Sequence, residues 1–81
     1  MEKQKDFTTM DIYLSAFLSQ FGIQPELKLK NGKVIFSFPH DDDLYKLLMN
    51  YNCNVNVPVA DFVTTIKTLR GQMLTMRGAS R

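Results

Sequence analysis

The sequence predicts one small α+β domain in the order helix–β-hairpin–helix–helix (α-β-β-α-α). Three observations carry this reading. Asn31-Gly32 lies between two alternating runs, "ELKLK" and "KVIFSF", and is the strongest short signal for a two-residue hairpin turn. Three further segments repeat apolar residues at spacings of three and four, as amphipathic helices do. The chain has 81 residues, which suits a single domain with a small core.

The elements follow in order. Residues 1–6 are polar and read as a flexible tail, as do residues 78–81. "TTMD" then looks like a capping box, with Thr8 as the cap and Asp11 three residues later. Met10, Leu14, Phe17, Leu18 and Phe21 form one face of the first helix. Gly22 is placed to end it in the left-handed conformation, with Ile23 packing back on Leu18 and Pro25 preventing continuation.

In the hairpin, a type I′ turn sets Lys30 opposite Lys33, Leu29 opposite Val34, Lys28 opposite Ile35 and Leu27 opposite Phe36. That register gathers Leu27, Leu29, Val34 and Phe36 on a core face. Lys28, Lys30, Lys33 and Ile35 share the other, basic and wet face. Pro39 ends the second strand.

Leu44, Leu47, Leu48 and Tyr51 predict a second helix over about 42–51. The asparagine-rich stretch after it favours a loop, although alternation of Val55 and Val57 allows a short extra edge strand near 54–57. Pro58 suits the first turn of a third and longest helix. Val59, Phe62, Ile66, Leu69, Met73 and Met76 form its core face, and Gly71 falls on its outer face.

The stretch "FPHDDDLY" is the most chemical in appearance, because clustered His and Asp can hold a metal. Adjacent residues opening a helix splay apart, however, and no calcium-loop spacing is present. Asp41 reads as a helix cap, with Asp42 and Asp43 in the first turn, where negative charge meets the helix's positive end. His40 reads as an exposed turn residue without an identifiable nucleophile or orienting partner. Cys53 is the only cysteine, so no intramolecular disulfide and no zinc ligand set is expected. Together with the absence of a secretory leader and of an apolar run near 18 residues, this predicts a cytoplasmic protein. No phosphate loop or nucleophile elbow occurs, and neither enzymatic activity nor a cofactor is expected.

Charge points instead to surfaces. The net charge is +2, with the basic excess on residues 26–39 and 59–81. Lys28, Lys30 and Lys33 on the hairpin, and Lys67, Arg70, Leu74 and Arg77 along one side of the third helix, form the candidate binding surface. The hairpin lysines could lie on a phosphate backbone, or they could blunt an exposed sheet edge. No aromatic residue interleaves with them, so a base-stacking sheet is not expected. The third helix could cover the hairpin or form a seam between two chains. With Val59 at a heptad a position, its g positions, Thr65 and Gln72, bring no acid to pair with Arg70 and Arg77.

Thr9, Asp11, Tyr13, Leu14, Ala16, Phe17 and Leu18 spell T-x-D-x-Y-L-x-A-F-L. Phe36 and Phe38 spell F-x-F. Val57, Phe62, Lys67 and Leu69 complete a spaced C-terminal pattern. On these residues the chain resembles a family of small bacterial and phage proteins catalogued as a domain of unknown function. The resemblance supports the architecture and implies a phage or mobile-element origin, but no activity. The expected role is therefore a non-enzymatic binding protein that docks on a protein partner, with a homodimer through the C-terminal helix as one arrangement. The alternative is a nucleic-acid-binding accessory protein using the basic hairpin face and the C-terminal helix.

Overall fold

The computed structural model describes residues 6–40 and 42–79. The elements run β1 (Phe7–Thr9), α1 (Ile12–Gln20), β2 (Glu26–Lys30), β3 (Lys33–Phe38), α2 (Asp42–Asn52) and α3 (Val59–Ala79). The strands form one antiparallel sheet in the order β1-β3-β2. This is the expected α+β class and helix order, with one strand added.

The hairpin forms in the predicted register, from Lys30 opposite Lys33 to Leu27 opposite Phe36, and extends to Glu26 opposite Ser37. Asn31 and Gly32 have φ of 54° and 78°, so both turn residues occupy the left-handed region that a type I′ turn demands. Asn and Gly are the residues that enter this region at least cost. Alternation then sends Val34, Phe36 and Phe38 into the core. On the opposite face Lys28, Lys30 and Lys33 are exposed, as expected. That face is drier at its centre than predicted. Ile35 is half-buried, and Ser37 is buried and donates a hydrogen bond to Asp6 at 3.2 Å.

β1 corrects the reading of the N-terminal segment. Thr8 does not cap α1; it lies in a strand opposite Ser37. Asp11 is the cap, and its Oδ1 accepts from the backbone N–H groups of Tyr13 at 2.9 Å and Leu14 at 3.2 Å. Thr9 supports the entry, its hydroxyl accepting from the Asp11 N–H at 3.0 Å. A three-residue strand has little periodicity of its own and forms here by pairing with β3. The stretch near 54–57 is a loop, as its asparagines favoured, and the short edge strand that alternation allowed does not form, since Val55 and Val57 lie between α2 and α3. The third strand stands instead at the other edge, beside β3. Replacing Asp11 by Ala should cost about 0.5–2 kcal/mol, because two N–H groups lose their acceptor. Urea denaturation monitored by circular dichroism measures this, and an unchanged midpoint would contradict the cap.

The helix ends follow two similar backbone motifs. At α1, Gly22 has φ of 91°, its N–H bonds to Ser19, and the Ile23 N–H bonds back to Leu18 at 3.1 Å. At α2, Asn54 has φ of 60°, its N–H bonds to Tyr51, and the Val55 N–H bonds back to Asn50 at 3.3 Å. Both are Schellman ends. The asparagine run thus stops α2 by supplying a left-handed residue. The Asp41 cap predicted for α2 lies outside the described residues. Asp42 and Asp43 do stand in its first turn.

One cluster joins Ala16, Phe17, Leu18, Phe36, Phe38, Leu44 and Leu69. α1 is the central helix, burying four consecutive residues from Ser15 to Leu18. Its burial therefore differs from the predicted stripe. Phe17 and Leu18 are buried and Leu14 packs on the core, but Met10 is 60% exposed and Phe21 is exposed too. Met10 precedes the helix, so its position in the apolar spacing placed it wrongly. Ser15 is buried because its hydroxyl bonds locally to the Asp11 carbonyl at 2.9 Å. Leu44 alone anchors α2 fully, as expected, with Leu47, Leu48 and Tyr51 partly buried.

α3 packs along α1 and over the core face of β2 and β3. Phe62, Ile66, Leu69, Met73 and Met76 face inward as predicted, with Leu69 fully buried. Val59 does not; it is 71% exposed, since the helix begins before it reaches the core. Pro58 sits just before the first turn, and its carbonyl accepts from the Phe62 N–H at 3.0 Å.

Candidate functional site

The predicted surface residues fall into two separate sets. Lys28, Lys30 and Lys33 share the outer face of the sheet, where Lys30 and Lys33 are cross-strand partners. Lys67, Arg70, Leu74 and Arg77 lie along one flank of α3 and are all exposed. α3 covers the opposite, core face of the sheet, so the fold does not merge the two sets into one basic patch. On the α3 flank the cations alternate with apolar side chains, because Val63 and the 61% exposed Leu74 share it.

The structure adds a feature that sequence reasoning passed over. An open groove of about 780 Å³ runs between β2 and the C-terminal half of α3, lined by Pro25, Leu27, Thr68, Gly71, Gln72 and Met76, with Thr75 at its side. Among the described residues β2 is an edge strand, so one side of the groove is bordered by backbone without a neighbouring strand. Gly71 contributes openness, and a Cβ built there meets nothing within 4 Å. The signal in the sequence was this glycine in the middle of a long helix, where the residue ordinarily costs stability. Gly71→Ala should accordingly raise the unfolding free energy by about 0.8–1 kcal/mol, read from denaturant midpoints. A loss of stability would show that the groove wall is closed.

Among the described residues no group of three potential ligands converges. His40 is half-buried rather than exposed, a correction to the expectation, and Tyr45 is the partner that sequence did not reveal. Its Nε2 lies 2.6 Å from the Tyr45 hydroxyl, with the two rings edge to face at 4.9 Å. The pair sits where the chain enters α2 and ties that turn to the helix. Cys53 is free and exposed at the end of α2.

Tyr51 is a titratable group that the fold perturbs. Burial raises its pKa above the ordinary 10.0, and the nearby Asp11 carboxylate pushes the same way. Its ring lies 5.3 Å from that of Phe17. The neutral phenol is favoured in the fold, so its contribution is intact below about pH 10 and is lost as pH rises further. As pH rises above about 10, wild-type stability should therefore fall faster than that of Tyr51→Phe. Parallel profiles in denaturant titrations would remove this assignment.

These surfaces, on a three-stranded sheet backed by helices, define a small α+β domain with an open groove at a sheet edge. The chain belongs to the DUF5659 family, a domain of unknown function, whose profile matches residues 4–75. No curated protein matches the chain. No solved structure matches it either. Among the described residues no helix is long and apolar enough to cross a membrane.

Proposed function

We propose that the protein is a non-enzymatic interaction module that docks on a protein partner. The observation that carries this reading is the apolar groove between β2 and α3. Concave, mostly apolar surfaces beside a few polar groups are the usual form of a binding site. Exposed apolar residues on the α3 flank, Val63 and Leu74 among cations, add to it. That flank is also where a homodimer would form, and a chain mass that stays monomeric at all concentrations in light scattering would remove the dimer. The same reading places the protein in the cytoplasm and, from the resemblance of its motifs, among phage or mobile-element products.

The test is capture from native host lysate on immobilised protein, with Gly71→Leu as the comparison. A protein held by the wild type and released by groove filling supports docking there. Captures identical for both chains, or none, would overturn it.

A second reading is a nucleic-acid-binding accessory protein. Lys28, Lys30 and Lys33 on one open sheet face favour it, because lysines so placed can meet phosphates. Binding to generic DNA or RNA should then weaken steeply with salt, since counterion release sets the slope. Absence of binding at low salt would sink this reading.

A further inference from the structure

The geometry points to strand addition: we propose that the β2–α3 groove takes an extended segment of a partner protein, alternating acidic and apolar residues, as a fourth strand on β2. This rests on the docking reading and names the chemistry of the partner.

The hairpin register decides which backbone groups are available. Lys30 and Lys33 flank a two-residue turn and so exchange both hydrogen bonds, and the alternation of an antiparallel pair makes Lys28 and Ile35 the next such couple. The N–H and C=O groups of the intervening Leu27 and Leu29 therefore point away from β3, toward the free edge. Pro25, one step before the strand, has no N–H to offer. β2 thus presents a short run of donors and acceptors suited to one extended segment of a few residues.

Side chains of such a segment alternate between two faces. On the inner face they enter the groove against Leu27 and Met76, over the space left by Gly71. On the outer face they stand beside Lys28 and Lys30, with Lys33 on the adjoining strand. Apolar residues fit the first environment and carboxylates the second. Cross-strand pairs of opposite charge are favourable, and like charges directly opposite are not. A second copy of the chain, paired so that both leucines bond, sets Lys28 against Lys28. Charge therefore favours an acidic segment over self-pairing in that register.

The experiment uses the full chain, ¹⁵N-labelled, and a soluble blocked heptapeptide that alternates valine with glutamate. A heptapeptide with lysine in place of glutamate serves as control. The glutamate peptide should shift amides of residues 26–30 and 68–76, and the lysine peptide should bind at least tenfold more weakly. Lys28→Glu with Lys30→Glu, both on exposed positions, should reverse that preference. Gly71→Leu should weaken binding at least tenfold while melting no lower than the wild type, because the added side chain enters open space.

No binding at millimolar peptide overturns the proposal. So do shifts confined to the α3 flank, or affinity indifferent to Gly71→Leu. A concentration-dependent dimer abolished by Gly71→Leu assigns the groove to a second copy and also overturns it. If lysate capture still depends on the groove while the acidic peptide fails, docking stands and the acidic strand falls. If both fail, both fall.

Discussion

Phe36→Ala should lower the unfolding free energy by about 3–5 kcal/mol. Phe36 lies on the central strand, is fully buried, and faces Thr9 on one side and Leu27 on the other. Its side chain joins sheet to helices, since Phe17, Leu18, Leu44 and Leu69 share its cluster. Removing the ring forfeits its transfer energy and leaves a cavity that close-packed neighbours fill only in part. Natural domains are stable by only about 5–15 kcal/mol, and a small one sits toward the low end. The variant should therefore be substantially unfolded in mild urea. Lys28→Ala, one residue from the cross-strand partner but on the exposed face, should change stability by less than about 0.5 kcal/mol. A loss for Phe36→Ala no larger than that of Lys28→Ala would mean the faces are assigned the wrong way round.

The second large effect belongs to Leu69→Ala, expected at about 2–5 kcal/mol. α3 spans 21 residues, yet Leu69 is its one fully buried side chain among the described residues. The helix is about 31 Å long at 1.5 Å per residue. It is held at its middle by Leu69, with Phe62, Ile66 and Met73 partly buried around it. Isolated helices are marginal in water, so α3 depends on docking to persist. Hydrogen exchange should accordingly show residues 59–79 opening before the sheet in Leu69→Ala. Leu74→Ala, on the exposed flank, should stay within about 0.5 kcal/mol of wild type. Equal losses at both positions would show that α3 packs on a different face.

Legibility tracked how local the deciding physics was. The hairpin register was readable to the residue, because Asn31-Gly32 fixes the turn and alternation fixes the faces. Gly22 was readable as a helix end for the same reason, since a left-handed residue needs no distant partner. β1 was not readable. Phe7 to Thr9 is stabilised by β3, some 30 residues away, and the same letters near Asp11 imitate a cap. Burial of Ser15 and exposure of Met10 also escaped the pattern, because a helix packed on several sides has no single stripe.

The candidate site divides in the same way. Exposure of Lys28, Lys30, Lys33, Lys67, Arg70, Leu74 and Arg77 followed from periodicity, and each is exposed in the fold. Whether they share one surface depends on which side of the sheet α3 covers, which no local spacing records.

The α+β class, the hairpin and its register, the helix order and most core positions are set by neighbouring residues. Each follows from side-chain period and turn chemistry within a few residues. The third strand, the separation of the two basic sets and the groove come from the assembled fold. These arise where distant segments meet: β1 on β3, and α3 over the core side of β2. Gly71 and Leu27 are 44 positions apart in the chain and line the same groove because the hairpin and α3 pack on a shared core.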